Sequence, residues 1–368
     1  MRRKIRCGFA NYATAVSVWD AAVIYFMENM ERYQAGKLTP GQKIFMIILP
    51  VLCVIAGLCA GRMSIPPMEV FKAILSRFGI HTIVSEQINT VVWSMRIPRL
   101  ILACLVGSGL SVSGCVFQGR FSNPLATPDT LGVASGASFG AAVALLLGFR
   151  MTGVQLTALI FGAIAVFLTG LAGFGLNEGK SVPILAGIMV SSLFSSLVSL
   201  VKFAADTESQ LPAITYWLMG SLESAGYSSL ILGAPPIIIG ILILFLLRWR
   251  MNLLPLTEDE AVSSGVNIKR LRLVTEFCAT MITASCVSMC GQVGWVGLIV
   301  PHICRMRYGS NYKVLVPASV CIGAAFMVIV DTIARTVSPK EIPISILTAI
   351  VGAPFFVFLL RKNKGWTL

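Results

Sequence analysis

The chain of 368 residues is 56% hydrophobic and only 12% charged, with 33 glycines and 15 methionines spread through it. A soluble domain carries about 25% charged residues, so this composition excludes a cytosolic enzyme, a disordered chain and a secreted disulfide scaffold, and leaves a polytopic membrane protein. The net charge of +13 comes from 29 Lys and Arg against 16 Asp and Glu. The basic residues flank apolar runs and form no single stripe, a pattern of membrane topology and not of nucleic-acid binding.

Residues 1–36 open on Arg2, Arg3, Lys4 and Arg6, pass through a moderately apolar stretch broken by Asp20, and turn charged around Glu28 and Glu31. They show no convincing small-residue cleavage site, so they read as a poorly ordered extension and not a signal peptide, with Met27 or Met30 as possible true starts. The membrane domain is expected over 37–368. A spanning helix needs about 20 apolar residues. That ruler predicts ten spans, at 44–60, 100–118, 131–149, 154–176, 182–205, 230–247, 273–290, 293–304, 314–334 and 343–360. The eighth is short and carries Pro301 and His302. Gly107, Gly109, Ser111, Ser113 and Gly114 in the second span predict close helix–helix contact, because small side chains let backbones approach.

Between the first two spans, Pro66, Pro67, Met68 and Glu69 followed by Val70, Phe71, Ile74 and Leu75 predict a short interfacial helix with proline at its start. With both termini in the cytoplasm, the inner segments hold 20 of the 29 Lys and Arg, which is the bias that positive charge imposes on topology. Five of the remaining nine, Arg62, Lys72, Arg77, Arg96 and Arg99, crowd the loop before the second span. Either they are simply solvated, or an acidic partner meets them outside the membrane.

The longest polar interruption, 248–272, falls on the cytoplasmic side. Thr257 can cap a short helix over 258–262, with Glu258, Asp259 and Glu260 at its positive end. Gly265 suits its stop, and Asn267 can start the next helix. Such a segment serves equally as a plain connector or as a rigid lever against a cytoplasmic engine. Ionisable residues inside spans are functional candidates. Asp331 and Arg335 stand four apart on one helix, so a structural ion pair and a functional role weigh equally; Lys202 and Asp206 share that spacing, and Glu276 lies one turn beyond Arg272, where it can pair.

No GxxxxGK[ST], HExxH or paired-carboxylate arrangement occurs, so the chain is not expected to hydrolyse anything itself. Most of the 10 cysteines lie in apolar runs, no CxxC pair occurs, and His81 and His302 are far apart, so no metal site is expected.

Arg96-Ile-Pro-Arg99-Leu, then the small-residue run from Gly107 to Gly114, then Asn123-Pro-Leu-Ala-Thr-Pro128-Asp129-Thr-Leu-Gly132 resemble the permease subunits of FecCD-type ABC importers. These carry iron–siderophores, haem and vitamin B12. The resemblance resumes at Trp217-Leu-Met-Gly220-Ser-Leu and at Gly291-Gln-Val-Gly294-Trp-Val-Gly297, with Pro301-His302 beyond. It ends with Asp331-Thr-Ile-Ala-Arg335, Glu341-Ile-Pro343 and Gly352-Ala-Pro354, so it covers the chain in order from about residue 40.

The resemblance implies an all-α fold of about ten transmembrane helices, the type II ABC importer permease, working as a homodimer or with a sister permease in the bacterial cytoplasmic membrane. It implies an extracytoplasmic binding protein docked by Arg96, Arg99 and Arg335. It also implies cytoplasmic ATPase subunits seated on Leu256, Glu258, Asp259, Glu260, Gly265 and Asn267. ATP is then used by those subunits, and this chain binds no cofactor. Iron–siderophore is the common cargo of the family. The rival reading is a secondary transporter driven by an ion gradient, which requires acids at mid-depth.

Overall fold

The computed structural model describes residues 38–77, 84–173, 182–224, 226–256, 260, 265–338 and 340–362. The extension over 1–36, His81, Lys180, and Thr257, Glu258 and Asp259 lie outside the described residues. Among the described residues all regular structure is helical.

Helix α1 (Pro40–Cys59) starts where the Thr39 hydroxyl accepts from the Gln42 amide and the Gln42 side chain returns to the Thr39 amide, with Pro40 at the first turn. This reciprocal cap satisfies two donors that the helix cannot. The amphipathic α2 (Pro67–Arg77) follows, starting at a proline as its sequence predicts. Helix α3 (Glu86–Thr90) runs through a wide turn over Val91–Arg96 into α4 (Ile97–Arg120), giving an unbroken run of 35 residues. Next come α5 (Val133–Leu146), α6 (Met151–Gly173), α7 (Val182–Ala204), the short α8 (Gln210–Leu218) and α9 (Tyr227–Leu247). The chain closes with α10 (Ile268–Cys290), α11 (Val296–Tyr308), α12 (Tyr312–Thr336) and α13 (Ile344–Lys362).

Burial sets the layers. The apolar window of the α3–α4 run is 83% buried, against 17% for α1. Helix α4 is therefore the axis of the molecule, flanked by α9, α10, α11 and α12, while α1 presents Ile44, Ile47, Val51 and Leu52 outward. What lets α4 sit so deep is its glycines. A Cβ on Gly107 would lie 2.1 Å from the Gly323 carbonyl oxygen of α12, and one on Gly114 would lie 1.8 Å from that of Gly297 in α11. Backbone touches backbone at both crossings, the contact predicted from the small-residue run.

The ten predicted spans correspond to α1, α4, α5, α6, α7, α9, α10, α11, α12 and α13. Among the described residues seven helices, counting the α3–α4 run as one, are long and apolar enough to cross a membrane; α5 and α13 are shorter apolar helices, and α11 has 13 residues. Helix α11 is short because irregular chain replaces its first turns. Trp295 holds a left-handed φ of 67° at its cap, and Gly297 in its first turn abuts Gly114 and the ring of Pro128. That proline opens a single 3-10 turn, Pro128–Leu131, before α5. This turn packs against α7, where Gly187 lies against the Thr130 carbonyl.

Candidate functional site

The first turn of α4 and the wide turn before it carry Arg99 and Arg96, two of the three arginines predicted for docking, and both are paired inside the molecule. The wide turn over Val91–Arg96 brings the buried Arg96 under the end of α1. Its guanidinium donates to the carbonyls of Leu58, Cys59 and Met63. Arg335, near the end of α12, donates to the Gly57 carbonyl and lies 3.4 Å from Asp331. A helix ends with carbonyls that have no partner and with a partial negative charge. Arg96 and Arg335 satisfy both needs for α1. The chain passes over them at Gly61, where a Cβ would sit 2.8 Å from Arg96 and 3.2 Å from Arg335.

Arg99 has different partners. Its Nε donates to Asp331 Oδ1 at 2.8 Å, and its two terminal nitrogens form a fork on Glu341, each at 2.8 Å. Planar two-point pairing of this kind is the strongest that arginine makes. Asp331 is fully buried, whereas Arg99 and Glu341 side chains each keep 12% exposure. Arg62, 57% exposed, reaches Glu341 at 3.9 Å. The intrahelical Asp331–Arg335 pair is present, but Asp331 bonds more closely to Arg99, 232 positions away. Glu341 is the member that sequence reasoning missed; its only signal was its place in the Glu341-Ile-Pro343 motif.

Glu341 belongs to a connector that leads into a seam of three. Ile344 N donates to Gly220 O at 3.0 Å, Ser345 Oγ donates to Met219 O at 2.6 Å, and Ser221 N donates to Cys290 O at 2.8 Å. Gly220 and Gly291 both take a φ of 73°, and a Cβ on either would meet a carbonyl oxygen at 2.2 Å. The α8–α9, α10–α11 and α12–α13 connectors are thus locked to one another.

At the other end of the molecule, Glu276 pairs with Arg120 of α4 and not within its own helix, because Arg272 turns back to donate to the Leu256 carbonyl at 2.7 Å. Lys202 and Asp206 likewise form no pair; Asp206 accepts from the Ser209 amide and hydroxyl at 2.8 and 2.7 Å. Among the predicted coupling residues, Asn267 caps α10 by accepting from the Arg270 amide at 3.0 Å, Gly265 holds a φ of 67°, and Glu260 is exposed. The start of the segment is fastened as well. Asn252 Oδ1 accepts from the amide of Tyr312, the first residue of α12, at 2.9 Å. His302 lies among aromatic rings, edge-on to Phe355 and tilted against Phe356.

One open cavity, of about 630 Å³, has a mixed lining that includes Ile184 and Ile188. Thr127, Asp129 and Thr130 of the 3-10 turn face Ser191, Ser192 and Ser195 of α7 across it. Asp129 also caps α5 by accepting from the Ala134 amide at 2.8 Å. Its lining includes no Lys or Arg.

The family model for the FecCD transport family matches residues 48–362. The chain belongs to the FecCD transport family. This FecCD permease is 39% identical over 320 residues to a molybdate import system permease of Haemophilus influenzae, covering 87% of this chain and 95% of the relative. It is 36% identical over 290 residues to an iron chelatin transport system permease of Helicobacter pylori, covering 78% and 87%. A solved structure, an inward-facing conformation of a metal-chelate type ABC transporter, aligns with a TM-score of 0.80 at 38% identity, covering 88% of this chain and all of that one. The protein is therefore a multi-pass permease subunit of an ABC importer and not itself an enzyme; ATP hydrolysis belongs to a separate subunit.

Proposed function

We propose that this FecCD permease carries a metal chelate of the iron–siderophore class inward across the bacterial cytoplasmic membrane, with both termini in the cytoplasm and a second copy of itself as its partner. The observation that carries the cargo class is the cavity. Its 630 Å³ suits a bulky, oxygen-rich chelate that hydroxyls can contact, and a bare oxyanion facing Asp129 without a cation would be poorly held. Relatives named for iron chelatin, haemin and iron–citrate transport support the same reading. A second reading, molybdate, is favoured by the Haemophilus relative. Uptake of radiolabelled ferric siderophore and of radiolabelled molybdate into vesicles holding the assembled transporter separates the two.

The outer charge cluster receives the binding protein. Arg62, Arg96, Arg99 and Arg335 outnumber Asp331 and Glu341, so the rim keeps net positive charge after its internal pairing, and an acidic partner is steered to it. Arg96 and Arg335 supply fixed field from below, whereas Arg62 and Arg99 are the groups a carboxylate can reach. On the opposite face, Leu256, Glu258, Asp259, Glu260, Gly265 and Asn267 seat the ATPase subunits. Closure of those subunits moves this segment, and the bonds from Arg272 to Leu256 and from Tyr312 to Asn252 pass the motion to α10 and α12, which grip α4 from two sides.

The test is ATPase activity of the permease assembled with its ATPase subunits in lipid, with and without binding protein. Stimulation that is lost on Arg62→Glu supports importer docking at this rim. Substrate movement down an ion gradient without any ATPase overturns it.

A further inference from the structure

We propose that Glu341 is a built-in competitor for the binding protein, occupying Arg99 with the same two-point carboxylate pairing that an acidic residue of the docked partner would use. This rests on the reading of the outer cluster as the docking rim. Arg99 already has a fixed partner in Asp331 through Nε, so its position does not depend on Glu341. Its two terminal nitrogens are paired with the Glu341 carboxylate, and both side chains keep 12% exposure, so neither is sealed from the rim. Arg62 stands beside that carboxylate and is largely exposed. An incoming carboxylate therefore meets Arg62 first, and one sideways step brings it to the fork of Arg99.

Exchange of one carboxylate for another leaves the charge on Arg99 balanced and releases Glu341 to water. Its release has a mechanical consequence, because the next residues hold the seam. Ile344 and Ser345 carry the bonds to Gly220 and Met219, and Gly220 is wedged against Gln292. While Glu341 sits on Arg99, the connector between α12 and α13 is anchored at both ends and the three outer connectors stay locked. With Glu341 displaced, that connector loses its ion pair and keeps the Ile342 N to Ala334 O bond at 3.2 Å and the Ser345 bond to Met219. Docking is thereby coupled to loosening of the outer seam. A binding site held closed by an internal group shows an apparent affinity reduced by the fraction of time it is free.

The experiment uses the full transporter in lipid nanodiscs, titrated with the purified substrate-binding protein encoded with this chain. Glu341→Gln should tighten binding by about threefold to tenfold, and amide exchange at Ile344 and Ser221 should speed up in the same variant without partner. Glu341→Asp should stay near the parent, and the gain from Glu341→Gln should vanish in an Arg99→Gln background. A purely structural Glu341 predicts the opposite sign, weaker binding by a distorted rim. If Glu341→Gln fails to tighten binding while Arg62→Glu weakens it, competition is refuted and the docking rim stands. If neither variant changes affinity, the docking reading falls and takes this inference with it.

Discussion

Arg96 offers the sharpest test of how the outer cluster is built, because the same residue is expected to dock a partner and is seen to cap a helix. Arg96→Met keeps an apolar stem of similar length and removes the donors to Leu58, Cys59 and Met63. Met63 is 37% exposed, so water can replace the donor there, and the Cys59 carbonyl keeps the Ile65 amide at 3.1 Å; the half-buried Leu58 carbonyl loses its donor. An unsatisfied enclosed acceptor costs about 1–3 kcal/mol, and the Leu58 carbonyl is the one left in that state. Removing the guanidinium also relieves its like-charge contact with Arg335, and the loss of positive charge at the negative end of α1 offsets that gain, each about 1 kcal/mol. The net loss is about 1–3 kcal/mol, which at roughly 2–4 °C per kcal/mol for a large domain is a fall in melting temperature of about 2–12 °C. The assay can use the protein's own thiols. Cys115, Cys286 and Cys304 are buried in α4, α10 and α11, so a thiol-reactive dye reports unfolding of the detergent-purified chain. Arg62→Met, at an exposed rim position, should melt with the parent. If Arg96→Met melts within a degree of the parent, or if Arg62→Met falls as far, the capping argument is wrong.

Gly114→Ala forces a methyl to within 1.8 Å of the Gly297 carbonyl; because backbone cannot yield as a side chain can, the variant should fail to accumulate as folded protein in detergent, whereas Gly41→Ala, with open space around it, should not. The Arg120–Glu276 pair links α4 to α10 with side chains 16% and 27% exposed; Glu276→Ala should lower the melting temperature by a few degrees, and a double-mutant cycle with Arg120→Ala should give a coupling of about 1–2 kcal/mol. Arg272→Ala cuts the tie to Leu256 and should leave ATPase turnover of the assembled transporter within about twofold while uptake falls about tenfold; equal loss of both would place Arg272 outside the coupling path.

The apolar runs and the small residues were legible in the sequence because each is a local pattern. A length of apolar chain has one stable outcome in a membrane, and Gly107 and Gly114 announce close crossings without naming the partner. Asn267 as a cap and Pro67 as a helix start are equally local, and both hold. The pairings were not legible. Glu276 stands one turn from Arg272, yet it bonds to Arg120; Asp331 stands one turn from Arg335, yet its closest partner is Arg99. Helical spacing allows a pair and does not enforce it, and burial against another helix decides. The arginine cap on α1 was hidden for a related reason. The orphan carbonyls that it serves belong to a helix end whose position over α4 is a tertiary fact.

The same accounting explains why the motif residues of this chain gather where they do. Every connector that enters the apolar region has carbonyls and amides that lipid cannot satisfy. The cheapest remedy is for connectors to satisfy one another, and the Trp217–Gly220 and Gly291–Gly294 motifs, distant in sequence, do so through contacts that admit no Cβ. Backbone pairing of this kind is satisfied but local, with few side chains behind it, so it opens at lower free energy than the glycine-packed crossings of α4 with α11 and α12. The region where the chain can yield is thus the seam, and the seam is joined through Ile344 and Glu341 to Arg99. A rigid axis with a yielding seam tied to a half-buried charge cluster is the arrangement that the proposed docking-controlled gate requires. Amide exchange that is as slow at Ser221 and Ile344 as in the core of α4 would refute it.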